Sequence, residues 1–209
     1  MDGFSDSFRQ EFDQLLRWRR DVRHFRPDPV EEAQLLRLLS TFNLAPSVGL
    51  SEPWRIVRVT SPQARQAAEQ NFQTCNDQAL SGYSGEKAKI YANLKLSGMR
   101  DAPVQLAIFC DEETDKGAGL GAGTMPEMRR YSVVTAITQF WLAARTEGLG
   151  VGWVSILDPD QLTRDLKVSE NWRMVAWLCV GWPAENTDQP ELERKGWETR
   201  TDGPQITER

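Results

Sequence analysis

The sequence predicts an α+β fold in two or three layers. Helical patterns dominate the chain, and only four or five short apolar runs of strand character are scattered among them. Those runs show no regular strand–helix–strand alternation, which argues against a parallel, doubly wound sheet. No internal repeat is present.

Residues 5–18 read as a helix with Phe8, Phe12, Leu15 and Leu16 on one stripe. Asp28-Pro29-Val30-Glu31 reads as the next helix start: an aspartate cap, proline at the first helical position and a glutamate to close a capping box. That helix continues through Leu35, Leu36, Leu38 and Leu39 to about Phe42. Residues 45–53 are rich in breakers and read as a loop. A strand over 54–60 follows. Ser61-Pro62 then starts a helix to about Asp77, and residues 85–98, around Ile90, Leu94 and Leu96, read as another.

Pro103 to Cys110 is short, apolar and bounded by proline and acidic residues, as a buried strand should be. Residues 111–128 differ in composition. Gly117, Gly119, Gly121 and Gly123 cannot lie inside a regular element without a steep entropic cost. They form either a floppy surface loop or a lid over a ligand. Tyr131 to Glu147 is the most apolar helix and the expected centre of the core. Gly148, Gly150 and Gly152 lead into a strand, and their spacing lets backbone approach something flat. They follow a helix rather than a strand, so a dinucleotide-binding turn is rejected. Asp158-Pro159 starts a short helix, and Trp172 to Val180 is a buried strand. From Ala184 to Arg209 the chain is polar and apolar-poor, and a partner subunit is the natural surface for it.

The totals exclude several classes. The formal net charge of −5 argues against nucleic-acid binding, which relies on an excess of basic residues. Cys75, Cys110 and Cys179 are odd in number and far apart, so neither a disulfide framework nor a metal site is indicated. No signal peptide and no apolar run of membrane-spanning length is found. A cytoplasmic protein of a reducing compartment is expected.

Against this acidic background, residues 17–26 hold five arginines, Asp21 and the only histidine. Guanidinium forks bind phosphate and carboxylate bidentately. The stretch reads either as the solvated basic end of a helix or as a grip on an anionic ligand, with Asp21 an ionised acid beside it. Some of the arginines suit the negative end of the helix dipole, but five exceed that need.

Four segments together carry a resemblance: Arg19-Arg20-Asp21-Val22-Arg23; Ala45-Pro46-Ser47-Val48-Gly49-Leu50-Ser51-Glu52-Pro53-Trp54-Arg55; Gly121 through Ser132; and Gly150-Val151-Gly152-Trp153-Val154-Ser155. They resemble the 5,6-dimethylbenzimidazole synthases, flavin-destroying members of the flavin-dependent nitroreductase superfamily. The likeness runs from about residue 8 to 200. The arginine motif alone resembles the whole superfamily. An aspartate at 21, where serine is common, and the Thr124–Met128 and Gly152–Ser155 segments point to that branch. Glu52 stands where the family has a glutamine, and a carboxylate cannot donate as an amide does.

The resemblance implies one nitroreductase-like domain over residues 1–209, with a central, mostly antiparallel sheet flanked by helices. It implies a lid at about 111–128 and an extension at about 184–209 that packs on the partner subunit. It implies a homodimer with FMN at the subunit interface, and reduced FMN as the substrate rather than a retained cofactor. Molecular oxygen is the co-substrate, with no metal. The products are 5,6-dimethylbenzimidazole, the lower ligand of vitamin B12, and erythrose 4-phosphate. A separate flavin reductase supplies the reduced flavin. Arg19, Arg20, Asp21, Val22, Arg23, Ser47, Leu96, Ser155 and Arg200 are the implied flavin contacts, with Arg200 on the phosphate.

Asp21 is the first candidate for catalysis, because breaking a ribityl carbon–carbon bond requires a base for a hydroxyl proton; bracing the arginines is its other reading. Ser155 is the second, holding or relaying a proton near the flavin's central ring nitrogen, or else an ordinary strand serine. A conventional NAD(P)H-dependent FMN reductase, a non-catalytic flavin-binding protein and a plain interaction domain are the competing readings.

Overall fold

The computed structural model describes residues 3–209. Four strands form one antiparallel sheet in the order β1 (Trp54–Arg58), β2 (Val104–Asp111), β4 (Trp172–Gly181), β3 (Gly150–Val154). The sheet is buried on both faces, which explains its unbroken apolar runs. Along β2, Leu106, Ile108 and Cys110 face one core and Ala107 and Phe109 the other. Along β4, Ala176, Leu178 and Val180 alternate in the same way with Trp177 and Cys179. Two cores around one sheet give a three-layer arrangement.

The first core is filled by α2 (Glu32–Leu39) and α5 (Met128–Thr146), with Leu35, Leu38, Val133, Ile137 and Phe140 all shielded from solvent. The second lies under α3 (Pro62–Ser81) and α6 (Pro159–Asp165), through Ala68 and Leu162. Both of these helices start at a proline preceded by a capping residue. Ser61 accepts from the Ala64 N–H at 3.2 Å, and Asp158 from the Gln161 N–H at 2.9 Å. α1 (Asp6–Trp18) contributes no buried residue. Its Phe8, Phe12 and Leu16 are exposed to solvent on the single chain.

Three expectations are corrected. The helix expected from Asp28 starts at Glu32, without a side-chain cap. Asp28 pairs with Arg26 at 3.4 Å instead, and the Pro29 carbonyl accepts from the Trp182 indole at 3.1 Å. These contacts, one local and one from the far end of the chain, keep residues 28–31 out of the helix. The helix expected over 85–98 is α4 (Gly85–Ala92), and Leu94 and Leu96 lie in the loop beyond it. Here the Arg23 guanidinium donates to the Lys95 carbonyl at 3.3 Å and so holds that loop from another element. The third concerns Gly150 and Gly152, whose backbone meets the chain itself rather than a flat ligand. A Cβ on Gly152 would lie 2.1 Å from the Val22 carbonyl oxygen, and one on Gly150 2.7 Å from a Val22 methyl.

The glycine-rich stretch is not a free loop. Gly117 has φ +84°, and a Cβ there would lie 2.4 Å from the Gly49 carbonyl oxygen. The stretch therefore docks backbone to backbone on the 48–51 turn, and Lys116 adds an ion pair to Glu52. No helix among the described residues is long and apolar enough to cross a membrane.

Candidate active site

The arginine stretch leaves α1 and runs beside the open edge of the sheet. β3 is an edge strand, so its outward backbone groups need partners. Asp21 bridges to Val151 in parallel fashion, and the Val22 N–H donates to the Val151 carbonyl at 3.1 Å. Backbone pairing stops there. The Asp21 side chain takes over, with one carboxylate oxygen accepting from the Trp153 N–H at 2.8 Å. Its other oxygen accepts from Arg23 Nε at 2.9 Å. Asp21 is thus fixed from two sides while a third of its side chain remains exposed.

Arg19 and Arg20 are not neutralised in this way. Arg19 lies over the Trp141 ring, 4.8 Å from its centre. Arg20 donates to the Asp188 and Arg19 carbonyls, each at 2.7 Å. Neither makes an ion pair with a carboxylate among the described residues. Burial lowers the pKa of Arg19, with Asp21 opposing and Arg200 adding to the fall. Burial also lowers that of Arg20, and Arg200 and Arg19 lower it further against Asp188 and Glu193. Guanidiniums depress one another only when they are close. Arg200 therefore comes from the far end of the chain to within electrostatic reach of Arg19 and Arg20. Asp21, Asp188 and Glu193 are near enough to oppose this crowding, but none pairs directly with Arg19, Arg20 or Arg200 among the described residues, so the three guanidiniums keep donors for a multiply charged anion such as a phosphate.

The site opens into a cleft between residues 18–24, α5 and the segment 183–194. His24 stands on its rim, with Nε2 3.6 Å from Glu191. Ser155 lies one residue past the end of β3 and is exposed. It occupies the same strand end as Trp153, the residue that holds Asp21. Leu96 follows Lys95, the acceptor for Arg23, and so lies beside the cluster.

Ser47 is elsewhere. Its hydroxyl accepts from the Glu52 N–H at 3.0 Å, and the following Val48 N–H donates to Ser132 Oγ at 3.0 Å. Ser132 is near the start of α5, whereas Arg19 rests on Trp141. Nine residues of α-helix separate these anchors by about 14 Å along the axis. Within one chain, Ser47 is thus anchored about two and a half helical turns from the residue that seats Arg19.

Sequence reasoning missed the residues that hold the cluster: Trp141 under Arg19, the Trp153 N–H on Asp21, and the carbonyls of Lys95 and Asp188. Trp141 is one apolar position among many in its helix, and backbone groups carry no residue-type signal. The thiols play no evident part here. Burial pushes Cys110 and Cys179 up to about 12, so neither supplies a thiolate near neutral pH.

Comparison with known proteins agrees with this architecture. The chain is 55% identical over 203 residues to a 5,6-dimethylbenzimidazole synthase of Rhodospirillum rubrum, covering 97% of this chain and 96% of that protein. It is 47% identical over 196 residues to a protein of the same name from Rhodobacter capsulatus, covering 94% and 95% of the two. Among solved structures, iodotyrosine deiodinase bound to FMN and 3-iodo-L-tyrosine superposes with a TM-score of 0.72 at 18% identity, over 94% of this chain and 97% of that one. That likeness is one of fold. The sequence model of the nitroreductase family matches residues 16–182, and the chain belongs to that family.

Proposed function

We propose that this chain is a 5,6-dimethylbenzimidazole synthase that consumes reduced FMN and dioxygen and releases 5,6-dimethylbenzimidazole and erythrose 4-phosphate. The observation that carries the reading is the convergence of Arg19, Arg20 and Arg200, none of them in a direct ion pair among the described residues, beside a carboxylate pinned to the sheet edge. The near-full-length relatives of that name support it.

The residues fit the group. Arg19, Arg20 and Arg200 hold the phosphate, and Val22, Arg23 and Leu96 border the flavin. Reduced FMN supplies the electrons for dioxygen and the carbon skeleton of the product. Asp21 accepts a hydroxyl proton from the ribityl chain, and its two in-chain donors fix its direction for that task. Ser155, exposed at the end of β3, holds or relays a proton at the ring. The segment 111–128 acts as a lid that excludes bulk water. Lys116 latches it to Glu52, a use of the carboxylate that the family's glutamine could not serve as an ion pair.

The separation of Ser47 from the arginine cluster favours a site built from two copies of the chain. The apolar stripe of Phe8, Phe12 and Leu16 on α1 and the exposed Tyr131 and Val134 on α5 give a second copy a surface to cover. Of the extension expected over about 184–209, residues 184–197 pack on their own chain, through the Asp188 carbonyl and the Trp197 ring, so the part left to extend across that partner is the chain after Arg200. A separate flavin reductase supplies the substrate in the cytoplasm.

Aerobic incubation of the protein with chemically reduced FMN, followed by chromatography, is expected to yield 5,6-dimethylbenzimidazole. Rapid NAD(P)H consumption without that product would instead identify a conventional FMN reductase. Replacing Phe8 and Phe12 together by aspartate is expected to convert dimer to monomer in light scattering. The same variant should lose FMN binding, because Ser47 then has no partner cluster. A dimer that survives both changes would place the interface elsewhere.

A further inference from the structure

Among the described residues, Arg200 makes no hydrogen bond or ion pair with another element. Among the described residues, the contacts of 198–209 are local: the Thr199 N–H to the Glu198 side chain and the Thr201 hydroxyl to the Gly203 carbonyl. Yet Arg200 is close enough to Arg19 and Arg20 to lower their pKa values. Something upstream must set its position.

The last tail residue with contacts to another element is Trp197. Its ring meets Tyr83 edge-on at 5.3 Å and Tyr91 at 6.0 Å between centres, while Tyr83 and Tyr91 stack on each other at 4.9 Å. Lys87 covers the indole, with Nζ 4.5 Å from the ring centre, and donates to the Trp197 carbonyl. Tyr91 is itself anchored, since its hydroxyl donates to Asn76 of α3 at 2.9 Å and its ring is buried. α7 (Glu191–Arg194) ends just before, and the Trp197 N–H returns to the Leu192 carbonyl at 2.8 Å. Both the ring and the backbone of residue 197 are therefore fixed. Three residues of extended chain reach at most about 11 Å, so Trp197 confines Arg200 to a small volume.

We propose that Trp197, seated between Tyr83, Tyr91 and Lys87, is a positioning residue that presents Arg200 to the phosphate of the substrate. This rests on the reading of Arg200 as a phosphate ligand. The clamp ties a tail poor in apolar side chains to the α3–α4 pair. Arg200 then stands only three residues from a fixed point, so less chain loses its conformational freedom each time an anion binds. Pre-ordering of this kind acts on affinity for the phosphate end of the ligand and not on proton transfer.

The test is a double-mutant cycle on the full-length protein, read as FMN affinity by quenching of flavin fluorescence. Arg200→Ala is expected to weaken binding about tenfold, and Trp197→Ala by a similar factor. The combined variant should be no weaker than either alone, because a clamp with no arginine to present has nothing left to lose. Trp197→Phe keeps a ring against Tyr83 and should recover most of the affinity; failure to recover counts against the clamp. Wild-type affinity in Trp197→Ala, or losses that add, overturns the clamp while leaving Arg200 as a phosphate ligand. Wild-type affinity in Arg200→Ala removes the phosphate assignment itself, and the clamp with it. Should Trp197→Ala fail to fold, Tyr83→Ala takes its place, because Tyr83 is 40% exposed. A few-fold loss that vanishes in the Arg200→Ala background supports the clamp, and unchanged affinity overturns it.

Discussion

Asp21→Asn is expected to lower 5,6-dimethylbenzimidazole formation from reduced FMN by about a hundredfold to ten-thousandfold. The size follows from losing the group assigned to take the ribityl hydroxyl proton. The geometry refines what else will happen. Both carboxylate oxygens accept from donors, the Trp153 N–H at 2.8 Å and Arg23 Nε at 2.9 Å. An asparagine has one acceptor and one donor group, so it can serve only one of them. With its oxygen toward Trp153, its NH2 faces the Arg23 N–H, and two donors cannot bond each other. Arg23 will then turn aside, and FMN affinity should fall modestly, within about tenfold. Arg19, Arg20 and Arg200 remain to hold the phosphate. Product measured by chromatography and affinity measured by fluorescence separate the two effects. Unimpaired product formation would remove Asp21 from the chemistry, and complete loss of binding would make it a brace for the arginines.

The second large effect is structural. Gly152→Ala should destabilise the fold by about 3 kcal/mol, at the upper end of the usual cost of overpacking. A Cβ at this position would meet the Val22 carbonyl oxygen at 2.1 Å, well inside van der Waals contact. That oxygen belongs to backbone, so no rotamer change relieves the clash. Either β3 leaves the sheet edge or residues 21–23 leave β3. The second is easier, because only the Val22–Val151 and Asp21–Trp153 hydrogen bonds hold them there on the β3 side. Thermal unfolding should show a midpoint lower by roughly 6–12 °C. FMN binding should fall even in the folded fraction, since the arginine segment loses its seat. A variant with the wild-type midpoint and affinity would contradict the close approach. Gly203→Ala is the control: like Gly152 it has no positive φ, but a Cβ there meets no atom within 4 Å.

Much of the architecture was legible because it rests on local rules. Ser61-Pro62 and Asp158-Pro159 start helices where cap-and-proline signals say they should. The same rule failed at Asp28-Pro29, because Arg26 and Trp182 engage those residues before a helix can use them. The helix read through Leu96 failed for a like reason: the loop after Ala92 answers to Arg23. The role of Gly150 and Gly152 was half legible. Their spacing announced a close approach, but not that the approaching group was the chain's own backbone.

The linear chain determined which chemical groups are present: a dense run of guanidiniums with one carboxylate, glycines that permit close backbone contact, and apolar runs long enough for a sheet covered on both faces. Folding alone decided which of those groups meet. Asp21 acquires its direction only because β3 lies at a sheet edge with an unpaired N–H. Arg200 reaches Arg19 only because Trp197 finds a seat on α4. Both are contacts between residues more than a hundred positions apart, and their geometry is fixed by packing, which no local pattern encodes.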